Sequence, residues 1–224
     1  MPRSYVREAR RRVGPRRERI GAIVERLERA HPDAAIALRS RSELELLVAV
    51  MLSAQTTDVN VNRVTDRLFV KYRTPGDYLA VPVEELERDI YQTGFFRQKA
   101  KAIRGTMRML IEEYDGRVPR RLEELVRLPG VARKTANVVA AELGDPQGIV
   151  VDTHVRRLSQ RLGLTRCEDP VKIERVLIRL VPRSKWGIVP HLLIWHGRRI
   201  CVARTPRCED CVLTDLCPSS RLPM

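Results

Sequence analysis

The stretch from Leu122 to Gly144 restricts the fold more than any other part of the chain. Leu122, Leu125, Val126 and Leu128 form a short apolar stripe at helical spacing, and Pro129-Gly130 interrupts it. Val131, Ala136, Val139 and Ala140 restart the stripe and carry it to Leu143, with Gly144 placed as the C-terminal cap. Two helices joined by a tight hairpin are predicted over about residues 121–143. Amides of the Gly130 turn and of the second helix's first turn have no intrahelical acceptor, so they offer a seat to a phosphate oxygen.

This pattern resembles the helix-hairpin-helix of non-sequence-specific DNA-binding proteins, which makes Gly130, Ala132 and Arg133 candidate DNA contacts. That motif usually has a second glycine where this chain has Ala132. Lys134 falls in the first turn of the second helix, where the positive end of the helix dipole disfavours an ammonium and lowers its pKa. Such a lysine is positioned to act as a nucleophile. The same residue also reads as one more phosphate-contacting cation, and the stretch alone does not separate the two.

A polyanionic partner is implied by the net charge of +14 and the pI near 10.3. Nucleic acid is favoured over membrane, because no long apolar or amphipathic cationic anchor is present. RNA-binding proteins share such a charge. Residues 1–20 hold eight arginines against Glu8 and Glu18, so residues 1–19 read as a basic arm. A transit peptide is the competing reading, opposed by the scarcity of hydroxyl residues there.

From Ile20 onward the pattern is helical. Ile20, Ile23, Val24 and Leu27 mark an amphipathic helix that stops near Pro32. Ser42 and Glu45 form a capping-box pattern ahead of a helix that is apolar nearly all round through Leu52, and so central to the fold. Its end changes abruptly to Ser53-Ala54-Gln55-Thr56-Thr57-Asp58, polar residues that meet solvent or a ligand; Asp58 reads as the N-cap of the next helix. Helices follow over Val83 to Ile90 and from about Arg97 through Glu113, with Gly94-Phe95-Phe96 between them. Asp152, an N-cap, starts a helix after the extended run Ile149-Val150-Val151, and Asp169-Pro170 starts another. No strand alternation or hairpin signal appears before the Leu122 motif, so the fold is expected to be all-helical.

Cys201, Cys208, Cys211 and Cys217 have the spacing Cys-x6-Cys-x2-Cys-x5-Cys. With no secretory or membrane-spanning run, a reducing cytoplasm is expected, and there a cysteine cluster reads as a metal site. Four thiolates suit zinc or an iron-sulfur cluster. Zinc ribbons use two close Cys-x2-Cys pairs, and only one is present, which favours iron and sulfide. Cys167 lies outside the pattern. Arg204 and Arg207, between the first two cysteines, would be presented to phosphate on a pinned loop.

Taken together, Leu52 to Asp58, Leu128-Pro129-Gly130 with Lys134 to Asn137, Val151-Asp152-Thr153-His154, His196-Gly197 and the cysteine loop resemble the endonuclease III family of DNA glycosylase/AP lyases. The resemblance implies two helical lobes with a cleft between them. A six-helix domain over 36–146 would carry the hairpin, and residues 20–35 and 147–224 would form a domain around a 4Fe-4S cluster. It implies a monomer acting on damaged double-stranded DNA, with no membrane partner. Oxidised pyrimidines such as thymine glycol would be flipped out and removed. Lys134 would attack the sugar, made sufficiently neutral by burial and the helix N-terminus, and Asp152 would be its partner carboxylate. Gln55 would fill the vacated space and Phe95 would act as a wedge, where the family commonly has leucine. Ser53, Asp58 and His154 are candidates for the lesion pocket. The alternatives are a related monofunctional adenine glycosylase, which lacks the lyase lysine, a relative acting on pyrimidine dimers or alkylated bases, and a non-catalytic DNA-binding module stapled by a metal.

Overall fold

The computed structural model describes residues 11–220, which form helices and connecting turns with no strand among them. Residues 1–10 of the expected basic arm lie outside the described residues. Two compact units divide the chain, one spanning Ile36–Gln147 and the other built from the residues up to Ala35 and from Gly148 onward.

In the second of these units, α1 (Arg16–Ala30) begins four residues before the apolar stripe that announces it. The reason lies in two arginines that the sequence assigns to the arm. Arg19 is buried and its guanidinium donates to the carbonyls of Leu162 and Leu216, while Arg16 donates to that of Leu164. Both cations are therefore spent on main-chain carbonyls within the unit.

The unit Ile36–Gln147 is organised on α2 (Glu43–Leu52), in which every residue from Leu46 to Leu52 is buried. A helix apolar on all sides has to be surrounded, and α2 packs against α3 (Asp58–Lys71), α6 (Phe96–Tyr114) and α8 (Arg133–Glu142). Burial of a leucine such as Leu47 contributes about 1.5–3 kcal/mol. Glu45 completes only half of the predicted capping box. Ser42 accepts the Glu45 amide, but the Glu45 carboxylate takes the amide of Arg41 instead of that of Ser42.

Between α3 and α6 lie α4 (Pro75–Ala80) and α5 (Val83–Ile90), both packed on α6. α4 has no counterpart in the sequence reading, because Pro75-Gly76 reads as punctuation. Thr74 and Asp77 form a full capping box there, and Pro75 at the first helical position begins the turn instead of breaking it. A single turn, α7 (Leu122–Leu125), precedes the hairpin. In the other unit α9 (Thr153–Arg161), α10 (Pro170–Ile178) and α11 (Ile188–Arg199) follow, with α11 packed on α9 and α1. Ile149, Val150 and Val151 are a buried connection outside any helix that leads into α9.

Candidate nucleic-acid interface and metal centre

The hairpin between α7 and α8 is fixed from below by α6. Thr106, fully buried on α6, donates its hydroxyl to the Pro129 carbonyl at 2.9 Å. Gly130 has φ +77°, and a Cβ added to it would lie 2.5 Å from the Ala102 Cβ, so glycine is required for both conformation and space. Ala132 is the N-cap of α8 with φ −73° and ψ 163°, ordinary extended backbone that alanine adopts without strain. The motif's missing second glycine is thus tolerated on backbone grounds. Arg133 and Lys134 open α8 and are exposed, and Lys134 makes no hydrogen bond or ion pair among the described residues. The burial expected for Lys134 is therefore not met by the chain itself.

Three non-glycine residues of the same unit have positive φ: Asp115, which ends α6 at φ +51°, and Gln55 and Phe95 in two other turns. Gln55 and Phe95 are both exposed, and their φ values of +57° and +47° place them in the left-handed region, which residues with a Cβ seldom enter. Such strain of about 1–3 kcal/mol persists only where surrounding structure enforces it, and it clusters at functional sites. Phe95 is 58% exposed, so it is not the core residue its pairing with Phe96 could suggest. Phe96 instead turns inward against Tyr91, with ring centroids 4.9 Å apart. Ser53 spends its hydroxyl on the Val50 carbonyl at 2.8 Å. Asp58 is the first residue of α3, not its cap. Thr57 takes that role, accepting the Asn60 amide, because its side chain precedes the first helical turn.

In the other unit Asp152 caps α9 with one oxygen only. Oδ1 accepts the Val155 amide at 2.7 Å, and Oδ2 has no hydrogen bond among the described residues. His154 is half-buried on the first turn of α9, its Nδ1 3.1 Å from the Arg157 guanidinium. Burial lowers its pKa, with the neighbouring Asp152 carboxylate acting the other way. Gly197 explains its own identity here, since a Cβ on it would lie 2.9 Å from His154 Nδ1.

The four thiols are unpaired and half-buried, and all four line one cavity of about 220 Å³. Among the described residues no three Cys, His, Asp or Glu side chains converge as ligands of a single ion would. Thiols spread around a cavity suit a polynuclear cluster, and the donor set is all soft sulfur. Burial holds the Cys217 thiol up at about 11 and raises that of Cys211, so ligation must displace protons. Arg161, on the last turn of α9, places a guanidinium nitrogen 3.2 Å from Cys201 Sγ and also donates to the Val202 and Ala203 carbonyls. Arg157 similarly donates to the carbonyls of Gly197 and Cys201. Neither arginine stands out in the sequence, although their spacing of four on an amphipathic helix puts them on one face. Arg204 and Arg207 are both exposed, and Arg207 also donates to the Arg199 carbonyl and lies 3.9 Å from Asp210. Both arginines of the loop are thus at the surface, and the Arg207 guanidinium also braces its own loop.

Comparison with known proteins agrees with this geometry. The family model for HhH-GPD superfamily base excision DNA repair proteins matches residues 48–183, and that for the iron-sulfur binding domain of endonuclease III matches residues 201–217. Endonuclease III of Bacillus subtilis is 52% identical over 187 residues, covering 83% of this chain and 85% of its own. The endonuclease III of Synechocystis sp. is 48% identical over 212 residues, covering 94% and 97%. A solved non-covalent endonuclease III–DNA complex matches with a TM-score of 0.86 at 47% identity, covering 92% of this chain and 96% of that one. The chain belongs to the endonuclease III family, enzymes of base excision repair that act as DNA glycosylases and abasic-site lyases and carry a 4Fe-4S cluster.

Proposed function

We propose that this chain removes oxidised pyrimidines of the thymine glycol type from duplex DNA and then cuts the strand, with Lys134 as nucleophile and Asp152 as partner carboxylate. The observation that carries the reading is an exposed, unpaired lysine at the start of a helix whose hairpin is pinned from below. A free lysine is neutral to roughly one part in a thousand near pH 7.4. The chain leaves Lys134 exposed, so its amine is free to meet the flipped nucleotide.

The amine lone pair of Lys134 adds to C1′ of the flipped nucleotide as the bond from C1′ to the base breaks, and the base leaves with its electron pair and a proton. Ring opening gives a Schiff base between Nζ and C1′. Loss of a proton from C2′ then expels the 3′ phosphate, and water releases the enzyme. Asp152 serves this sequence through its uncapped Oδ2, stabilising positive charge on the sugar and moving protons, while Oδ1 holds α9 in place. Capping and catalysis both need the ionised carboxylate and use different oxygens.

Gln55 and Phe95 enter the base stack, the former opposite the orphaned base. The amides at Gly130, Ala132 and Arg133 seat a backbone phosphate, and Arg204 adds a cation from the cysteine loop. Cys201, Cys208, Cys211 and Cys217 hold the 4Fe-4S cluster, whose contribution is a cross-link that fixes this loop. The enzyme acts as a monomer in the bacterial cytoplasm. Lys134 favours this reading over a monofunctional adenine glycosylase, which lacks the lyase lysine.

Parallel single-turnover assays of base release and strand cleavage on a thymine glycol duplex test the assignment. Lys134→Gln is expected to abolish cleavage. Asp152→Asn keeps a good helix cap and is expected to slow both steps by about 100-fold or more. Cleavage by Lys134→Gln at the wild-type rate would refute the nucleophile.

A further inference from the structure

Lys99 is a buried lysine without a carboxylate partner. Only 8% of it is exposed, on the first turn of α6, and its ammonium donates to two backbone carbonyls, Leu52 at 2.8 Å and Thr93 at 2.7 Å. Burying an ammonium is costly unless its donors are used, so the position of these two acceptors is informative. Leu52 is the last residue of α2, and Gln55 lies three residues beyond it. Thr93 closes the short 3-10 turn Tyr91–Thr93, and Phe95 lies two residues beyond that. The ammonium thus joins the roots of the Gln55 and Phe95 turns, each of which carries an exposed, left-handed residue.

A second tie joins the same two turns. Asn60 Nδ2 donates to Thr56 Oγ1 at 3.0 Å on one side and to the Gln92 carbonyl at 2.6 Å on the other. The helix end at Leu52 also presents the negative pole of the α2 dipole, which favours a cation there. Two independent donors bridging one pair of turns exceed what capping α2 requires, since one acceptor of each bridge lies on the other turn.

We propose that Lys99 is a positioning residue for base flipping, clamping the Gln55 turn to the Phe95 turn at a fixed separation so that both side chains enter the duplex as one rigid device. The proposal rests on the reading of Gln55 and Phe95 as stack-inserting residues. Pre-organising the two turns removes the ordering cost from the flipping step. Chemistry at C1′ uses neither turn, so the clamp acts on the opening of the duplex.

The test uses full-length holoprotein and two readouts. The first is fluorescence of 2-aminopurine placed beside thymine glycol in a duplex, followed in a Lys134→Gln background so that unstacking is seen without chemistry. The second is lyase activity on a single-stranded abasic oligonucleotide, which has no stack to enter. Lys99→Met is expected to slow duplex unstacking and duplex base release by about tenfold while single-strand cleavage falls far less. Asn60→Ala is expected to show the same selectivity with a smaller loss, and it carries the test if Lys99→Met does not fold. Equal losses on duplex and single strand would reduce Lys99 to a structural role and overturn the proposal, as would an undiminished unstacking rate. Gln55→Ala and Phe95→Ala separate the two levels. If both slow unstacking and Lys99→Met and Asn60→Ala do not, only the clamp is wrong; if neither slows it, the insertion reading fails and the clamp with it.

Discussion

Gly130 concentrates two demands at one position: a positive φ and close approach to Ala102. Adding one methyl there forces either the hairpin or α6 to move, since the nearest atom is a Cβ attached to helical backbone. Gly130→Ala is expected to destabilise the protein by about 1–3 kcal/mol and to weaken DNA binding, read by urea unfolding and by fluorescence anisotropy. Ala132 presents the opposite case. Its backbone is ordinary and its side chain exposed, so Ala132→Gly is expected to change stability by only a few tenths of a kcal/mol. Any gain in DNA affinity from that substitution measures how far the extra methyl keeps a phosphate from the turn. Both glycine and lysine of the hairpin are legible in the sequence, because Leu-Pro-Gly breaks one stripe and Lys134 opens the next. Left-handed backbone at Gln55 and Phe95 is not legible, since neither residue type signals positive φ. Lys99 is equally hidden, for its acceptors are main-chain carbonyls that carry no sequence pattern.

At the level of elements, helix starts are readable where a side-chain oxygen precedes an apolar stripe, as at Ser42, Asp152 and Asp169. They mislead where two hydroxyl or acidic residues compete. Thr57 caps α3 and Asp58 follows it inside the helix. α4 escapes because six residues are too short to show periodicity, although Thr74-Pro75-Gly76-Asp77 is a complete capping pattern. The amides of Arg73 and Thr74 bind the Asp77 carboxylate and hold its pKa below the ordinary value. Thr74→Ala is expected to cost about 1 kcal/mol, measured by urea unfolding, with no change in cluster absorbance. Full retention of stability would show that α4 is held by packing on α6 alone. The cysteine loop makes a different prediction. Arg161 sits beside Cys201 Sγ and holds two neighbouring carbonyls, so Arg161→Leu is expected to lower the cluster content of purified protein, followed by iron and acid-labile sulfide analysis. Stoichiometric zinc in the wild type would contradict the cluster assignment.

For the whole molecule, the basic charge and the all-helical pattern are legible in the sequence, because both are sums over many residues. The boundary of the basic arm is not, since Arg16 and Arg19 are spent on carbonyls within the cluster-bearing unit. Arginines before Pro15 are a separate matter. Their removal is expected to flatten the slope of log affinity against log salt by about 0.9 for each DNA phosphate that they neutralise, and an unchanged slope would show that the arm does not touch DNA. The glycosylase and lyase assignment depends on one covalent event at Lys134. Borohydride reduction during turnover on a thymine glycol duplex, followed by peptide mass spectrometry, observes that event directly. The expected result is a reduced sugar adduct on the peptide containing Lys134 and no adduct in Lys134→Gln; an adduct on another residue, or base release with no adduct at all, would overturn Lys134 as the nucleophile.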